Sequence, residues 1–278
     1  MALQQLKKRA QADVRLIDQA LAASSVAPVT PNSVGVQTKK GNALVVGINY
    51  EGTAGALKGC VADAHAMTAM LRGLGYDVVE ITDDGPVRPT AANIMLALRR
   101  LAMRSRQGDV WFHFSGHGSW RVDTNRDERD RRDESIVCLD RHITDDELYR
   151  TIVIRIPPTG RLICTMDCCH SGTAMDLRYR YISGNRAYTE NPRSRPRGEI
   201  LCLSGCRDAG TSADALINNK WSGAMTTSFI DVFRESGNAI TAYTLLRKLR
   251  VLLARRGFKQ KPQLTTSRRL NGLSKFFG

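Results

Sequence analysis

Two short segments carry the residue types that covalent catalysis needs. The first, Val110 to Gly118, reads V-W-F-H-F-S-G-H-G, an apolar run that ends abruptly in small residues around His117. The second, Arg161 to Met166, leads into D-C-C-H-S-G, from Asp167 to Gly172, with Cys168 and Cys169 side by side. Only a thiolate is a strong nucleophile, and a leaving amine needs a proton, so a cysteine and a histidine delivered to one place suit attack on an acyl carbon. The histidine comes first and the cysteine 52 residues later. A lone turn histidine is more often without a role. It is the second segment that gives His117 weight, whereas His113, inside the apolar run, reads as structural.

Two other uses of these cysteines fail on spacing. A phosphatase loop needs Cys, five residues and then Arg, and none of the seven cysteines has Arg six places on. Zinc could recruit Cys164 with Cys168, or Cys202 with Cys206, but four residues of extended strand span roughly 13 Å, too long for two ligands of one tetrahedral ion. Acidic residues form another group. Asp63 follows the Gly59-Cys60 turn, and Asp167 stands two places before Cys169. Asp133 follows a charged stretch, Asp145 and Asp146 follow Thr144, and Asp176 lies seven residues beyond Cys169. Each taken alone suits a helix's first turn or a solvated loop. Asp133, Asp145, Asp146 and Asp176 together are oxygen donors of the kind a hard cation wants.

The elements that position these residues are legible as alternation. From residue 42 short apolar runs alternate with longer helical stretches, the pattern of a mainly parallel sheet covered by helices, an α/β fold. The runs Ala43 to Asn49, Asp77 to Ile81, Val110 to Ser115, Arg161 to Met166 and Ile200 to Ser204 predict strands. Helices are predicted at Gly59 to Leu74, Thr90 to Arg106, Asp145 to Thr151, Gly223 to Glu235 and Thr241 to Arg256. Both chemical segments then end at the carboxyl edge of the sheet, where such folds bind ligands. Trp120 to Glu134, dense in Arg, Asp and Glu, and Arg178 to Gly198, rich in Arg, Tyr, Pro and Gly, read as mobile surface loops. Before the alternation, Leu3, Leu6, Ala10, Val14, Ile17 and Leu21 predict one amphipathic helix, followed by a linker through Pro28 and Pro31.

Composition narrows the class. Of 278 residues 42% are hydrophobic, enough for a substantial core. Seven scattered cysteines do not form a dense disulfide framework and point to a reducing, cytoplasmic setting. No uninterrupted apolar stretch is long enough to span a bilayer. The formal charge of +14 invites nucleic acid as a partner, but no helix-turn-helix, zinc-finger or aromatic-basic signature accompanies it, so nucleic acid is not expected.

S-G-H-G with D-C-C-H-S-G, preceded by A-L-V-V-G-I-N-Y and G-C-V-A-D-A, resembles the metacaspases, within the caspase-like clan of cysteine peptidases. The likeness runs from about Asn42 to Leu264. It implies the caspase-hemoglobinase fold, with a mainly parallel six-stranded sheet sandwiched by helices. On that reading residues 1–41 are an N-terminal helix and linker, and 42–278 a caspase-like peptidase domain. Within it 42–177 is large-subunit-like, 178–198 a connecting loop and 199–278 small-subunit-like, an order similar to type I members.

The resemblance selects Cys169 as nucleophile, His117 as acid and base, and the amides of Gly118 and Cys169 as oxyanion donors. It implies that Cys60, Asp63, Ser115 and Asp167 line a first pocket whose acidic walls hold Arg or Lys, with Trp221 and Ser222 shaping the groove. It further implies that Asp133, Asp145, Asp146 and Asp176 form an activating Ca2+ site, although without it the solvated-loop and helix-turn explanations are preferred. The expected activity is a calcium-dependent, thiol endopeptidase cutting protein or peptide substrates after Arg or Lys, acting as a monomer. Arginines in the 178–198 loop, together with Lys39 and Lys40, offer sites for self-processing of a zymogen. A catalytically silent scaffold that keeps the fold is the rival; an aspartate-specific caspase is disfavoured by Asp63 and Asp167.

Overall fold

The computed structural model describes residues 2–23, 40–122, 132–169, 174–181, 186–205, 214–217 and 220–277. An N-terminal helix, α1 (Ala2–Ala23), precedes β1 (Gly41–Gly47), α2 (Cys60–Gly73), β2 (Tyr76–Thr82), α3 (Ala91–Arg104) and β3 (Asp109–Ser115). A small antiparallel sheet follows, β4 (Gly118–Val122), β5 (Arg132–Val137) and β6 (His142–Thr144), running directly into α4 (Asp145–Thr151). The main sheet resumes with β7 (Arg161–Asp167) and, after the hairpin β8 (Tyr179–Tyr181) and β9 (Ala187–Thr189), with β10 (Glu199–Ser204). The pair β11 (Asp214–Ile217) and β12 (Lys220–Gly223) leads into α5 (Ala224–Ser236), then α6 (Ala242–Arg255) and β13 (Gln263–Thr266).

Local chemistry sets the element ends. Thr90 caps α3 by accepting from the Asn93 amide, and Thr241 caps α6 by accepting from the Thr244 amide. Thr144 and Glu147 form a reciprocal capping box on α4, which is why a helix of only seven residues starts cleanly there. Helix α2 has no side-chain cap of its own; the Asn49 Oδ1 accepts from the amides of Cys60 and Val61 at 3.0 and 3.3 Å.

The sheet order is β2-β1-β3-β7-β10-β13-β8-β9. Strands β2, β1, β3, β7 and β10 are parallel, and β13 joins β10 antiparallel. Central strands of such a sheet are covered on both faces and read as unbroken apolar runs, as G-N-A-L-V-V-G does, buried throughout. Alternate residues feed the two layers. Leu44, Val46, Phe112, Phe114 and Leu162 pack with α3 and α4 residues on one face. Ala43, Val45, Trp111, Ile163 and Leu201 pack with α2, α5 and α6 on the other.

All five predicted strands and the five predicted helices of the domain are present, with ends shifted by a residue or two. The expected six-stranded sheet is the core β2 to β13, extended by the β8–β9 hairpin to eight strands. The segment 178–198 is therefore not wholly loop: Tyr179–Tyr181 pairs antiparallel with β13 and Ala187–Thr189 with β8, because Tyr181 is an apolar anchor that reaches the core with no exposed surface. The ends of the charged stretch 120–134 likewise pair, as β4 and β5, while 123–131 lies outside the described residues. Helix α1 packs on β2 and α3. Ile17 is fully buried, Asp13 accepts from Asn93 at 2.8 Å, and Asp18 pairs with Arg100 at 2.9 Å.

Candidate active site

The parallel strands end in register along one edge. Gly47 pairs with both Thr82 and Ser115, and Ser115 with Asp167. His117 and Cys169 each stand two residues beyond one member of the Ser115–Asp167 pair, so the two chains leave the sheet side by side. The Gly116 amide continues the ladder one step, donating to the Asp167 carbonyl at 3.3 Å. At the next turn an ideal Cβ on Gly118 would sit 1.7 Å from the Cys169 carbonyl oxygen, so the backbones of the two motifs touch there and only glycine fits.

His117 is held from three sides. Its amide donates to the Tyr50 hydroxyl at 2.8 Å, its ring lies 4.7 Å from the Tyr50 ring, centroid to centroid, and its Nε2 is 2.6 Å from the Gly55 carbonyl oxygen. A carbonyl only accepts, so Nε2 carries a hydrogen and Nδ1 is the nitrogen left for proton exchange.

Cys169 is half-buried, while Cys60, Cys138, Cys164, Cys168 and Cys202 are buried. Burial pushes the Cys138 thiol up to about 12 and raises Cys164 well above its ordinary value. Such thiols stay protonated and inert. His113 is buried, its Nδ1 2.9 Å from the Thr165 hydroxyl, and burial lowers it to about 3, so it stays neutral, in line with a structural part.

The candidate pocket acids converge. Asp63, in the first turn of α2, is 1% exposed. It accepts from the Ser115 hydroxyl at 2.7 Å and from the Gly223 amide at 2.9 Å. Asp167, at the end of β7, accepts from both the amide and the hydroxyl of Thr226 at 2.8 Å. An ideal Cβ on Gly223 would lie 2.2 Å from Asp167 Oδ2 and 2.4 Å from Asp63 Oδ2, so the two carboxylates flank one glycine. Cys60 is buried at the start of α2, three residues before Asp63. Trp221 and Ser222 have their backbone in β12, next to Gly223; their side chains lie outside the described residues.

The candidate calcium ligands are brought together only in part. Asp145 and Asp146 open α4, and Asp145 is 2% exposed, accepting from the Glu134 and Asp146 amides. The Glu134 bond brings the β5 backbone beside them, at the residue after Asp133, whose side chain lies outside the described residues. Asp146 also pairs with Arg150. Asp176 is buried with a left-handed backbone, φ 48°, and Asn191 Nδ2 approaches it at 3.5 Å. Among the described residues no three acidic, His or Cys side chains group as metal ligands.

Several residues that build this edge were not singled out from sequence. Tyr50 ends the A-L-V-V-G-I-N-Y segment, and Gly223 and Thr226 follow within five residues of Trp221 and Ser222, so each lies in or beside a motif that does not show its role. Gly55 contributes a backbone carbonyl, which no residue type announces.

Comparison with known proteins gives the family. The caspase domain family matches residues 40–271. Metacaspase-1 of Meyerozyma guilliermondii is 34% identical over 285 aligned positions, covering 81% of this chain and 69% of the relative. Metacaspase-1A of Aspergillus fumigatus is 33% identical, covering 84% and 70%, and metacaspase-2 of Trypanosoma brucei brucei 33%, covering 82% and 74%. Among solved structures, a Geobacter sulfurreducens protein superposes with a TM-score of 0.61 at 25% identity, covering 85% of this chain and 99% of the other. Caspase-1 from Spodoptera frugiperda, at 15% identity and TM-score 0.57 over 91% and 96% of the two chains, shares the fold. A third of the sequence held in common with metacaspases across most of both chains, on a caspase domain, makes this chain a member of the metacaspases, a family of cysteine peptidases.

Proposed function

We propose that this metacaspase is a calcium-dependent endopeptidase that cleaves after Arg or Lys through Cys169 and His117. The observation that carries the specificity is the pair of buried carboxylates, Asp63 and Asp167, flanking Gly223 at the strand edge from which Cys169 departs. A guanidinium or ammonium group complements such a wall, and an aspartate side chain is repelled by it.

On this proposal the reaction has two stages. Cys169 Sγ attacks the carbonyl carbon after the basic residue while its proton passes to His117 Nδ1. The amides of Gly118 and Cys169 receive the developing oxyanion. The Gly55 carbonyl, bonded to Nε2, orients the ring and stabilises the imidazolium. Collapse breaks the C–N bond as His117 protonates the leaving amine, and water, deprotonated by His117, then hydrolyses the thioester.

The donor set suits a hard cation at the β5–α4 corner, where Asp145, Asp146 and Asp133 would hold it and Asp176 would close the site. Calcium there would supply charge neutralisation to the acidic segment around 123–134. Two further readings belong with the proposal. The β8–β9 hairpin pairs with β13, so that strand is not a free edge for pairing with a second copy, which supports a monomer. Arg186, Arg193, Arg195 and Arg197 are exposed and remain the candidate self-processing sites, whereas Lys40 is half-buried with its amide bonded to the Gly75 carbonyl, and Lys39 lies outside the described residues.

The test is hydrolysis of Arg-, Lys- and Asp-ending fluorogenic peptides by the wild type and Cys169→Ala, with millimolar calcium or with chelator. Turnover of the basic peptides that needs both Cys169 and calcium is expected. Turnover in chelator removes the metal assignment alone, preference for the Asp peptide removes the pocket assignment, and no cleavage in any arm favours the silent scaffold.

A further inference from the structure

We infer that the turn Asn49–Gly55, clamped by Asp83, positions the imidazole of His117, with Tyr50 as its principal positioning residue. This rests on the reading of His117 as the acid and base of the reaction.

Tyr50 adopts a left-handed backbone, φ 55°, and among the described residues only Asp176 is another non-glycine with positive φ. For a bulky aromatic residue that conformation is unfavourable and persists only where the surroundings impose it. Here the surroundings are the bonds to the Tyr50 hydroxyl and carbonyl, together with Asp83, in the loop after β2. Its Oδ2 accepts from the Asn49 amide at 2.9 Å, fixing the peptide that leads into Tyr50. A carboxylate that accepts from the amide just before Tyr50 pins the turn at its start.

The clamped turn then touches His117 in three ways. The Tyr50 hydroxyl accepts from the His117 amide at 2.8 Å and donates to the Val137 carbonyl at 2.7 Å, tying the histidine to β5. The Tyr50 ring lies beside the imidazole. Thr53 carries the turn onward: its amide and hydroxyl both donate to the Tyr50 carbonyl, and its hydroxyl accepts from the Gly55 amide at 3.2 Å. The Gly55 carbonyl in turn receives His117 Nε2–H. Backbone, ring face and ring nitrogen of one residue are thus all set by a single seven-residue turn. Burial raises the Tyr50 phenol far above its ordinary value, so the hydroxyl keeps its proton and remains both donor and acceptor across the working pH range. A misplacement of about 1 Å in a reacting group can cost on the order of 100-fold in rate, so this turn acts on turnover.

The variants are Tyr50→Phe, which removes the hydroxyl and keeps the ring, and Asp83→Ala and Asp83→Asn, the latter keeping one acceptor oxygen. They are measured on the Arg peptide with calcium, alongside thermal melts. Tyr50→Phe is expected to lower kcat about 10- to 100-fold with KM within about twofold, and to move the acidic limb of the kcat/KM pH profile. Asp83→Ala should lose as much or more, and Asp83→Asn recover part of it. In a His117→Ala background, Tyr50→Phe should cost nothing further, since its effect runs through His117. A folded Tyr50→Phe with wild-type kcat and pH limb overturns the inference; if it does not fold, Asp83→Asn and Thr53→Ala with wild-type kcat overturn it equally. Retention of activity by His117→Ala instead overturns the dyad reading, so the two failures are told apart.

Discussion

The strand edge owes its close packing to glycines rather than to large side chains. Gly118 admits the Cys169 carbonyl against its Cα, and Gly223 admits the oxygens of Asp63 and Asp167. Neither is required for a turn of unusual handedness; each is required because another group occupies the space a Cβ would take. Gly118→Ala is therefore expected to push the Cys169 backbone away and to lower kcat/KM at least about 100-fold, with a lower melting temperature. Peptide kinetics and a thermal melt check this. Wild-type turnover by a folded Gly118→Ala protein would show that the two backbones do not need their present contact.

Among the elements, the β3–β7 pair combines site and core in one register. Its ends carry the candidate pocket residues Ser115 and Asp167, and two residues further in His113 pairs with Thr165. The Thr165 hydroxyl lies within hydrogen-bond distance of both Trp111 Nε1 and His113 Nδ1. Burial holds His113 at about 3 in the folded chain, against 6.5 for an ordinary histidine. Between those values the unfolded chain binds a proton that the folded chain refuses. Stability therefore falls as pH drops from about 6.5 toward 3, by at most ~1.4 kcal/mol per pH unit from this group. Urea unfolding of the wild type at pH 7 and pH 5 should differ by about 2 kcal/mol more than for His113→Gln. Equal pH slopes in the two proteins would mean that His113 titrates normally.

At the scale of the molecule, charge is distributed unevenly. Residues 1–177 hold 22 Lys and Arg against 21 Asp and Glu, whereas 178–278 hold 19 against 6. The excess gathers around the β8–β9–β13 edge, where Arg250 bonds the Pro262 carbonyl, Arg268 the Arg197 carbonyl, and Arg269 stacks on Tyr179. A one-signed field of this kind steers oppositely charged partners and fades with salt. For an acidic protein substrate, kcat/KM should fall about 3- to 10-fold between 50 and 200 mM salt, while a short neutral Arg peptide changes little. Equal salt responses would confine recognition to the pocket. The aromatic cluster of Trp111, Phe229, Phe276 and Phe277 closes the same half of the core, which makes the chain's last residues part of the domain.

Residue pattern alone predicts the parallel sheet and its helices, because buried central strands must be continuous apolar runs and helices must carry their caps, as Thr90, Thr144 and Thr241 do. It also shows which two strands lead into the candidate His117 and Cys169. It did not reveal β8, β9 or the three-strand sheet at β4 to β6. Segments of three to six residues have too few positions to show a period, and their pairing partners lie far along the chain. Nor could it assign a role to Tyr50 or Gly55, since a hydroxyl that holds a distant amide and a carbonyl that receives an imidazole N–H are relations between strands' ends. Those relations, and the meeting of Asp63 and Asp167 across Gly223, exist only in the folded chain, because each depends on how the register of β1, β3 and β7 stacks chain segments that are 50 to 160 residues apart.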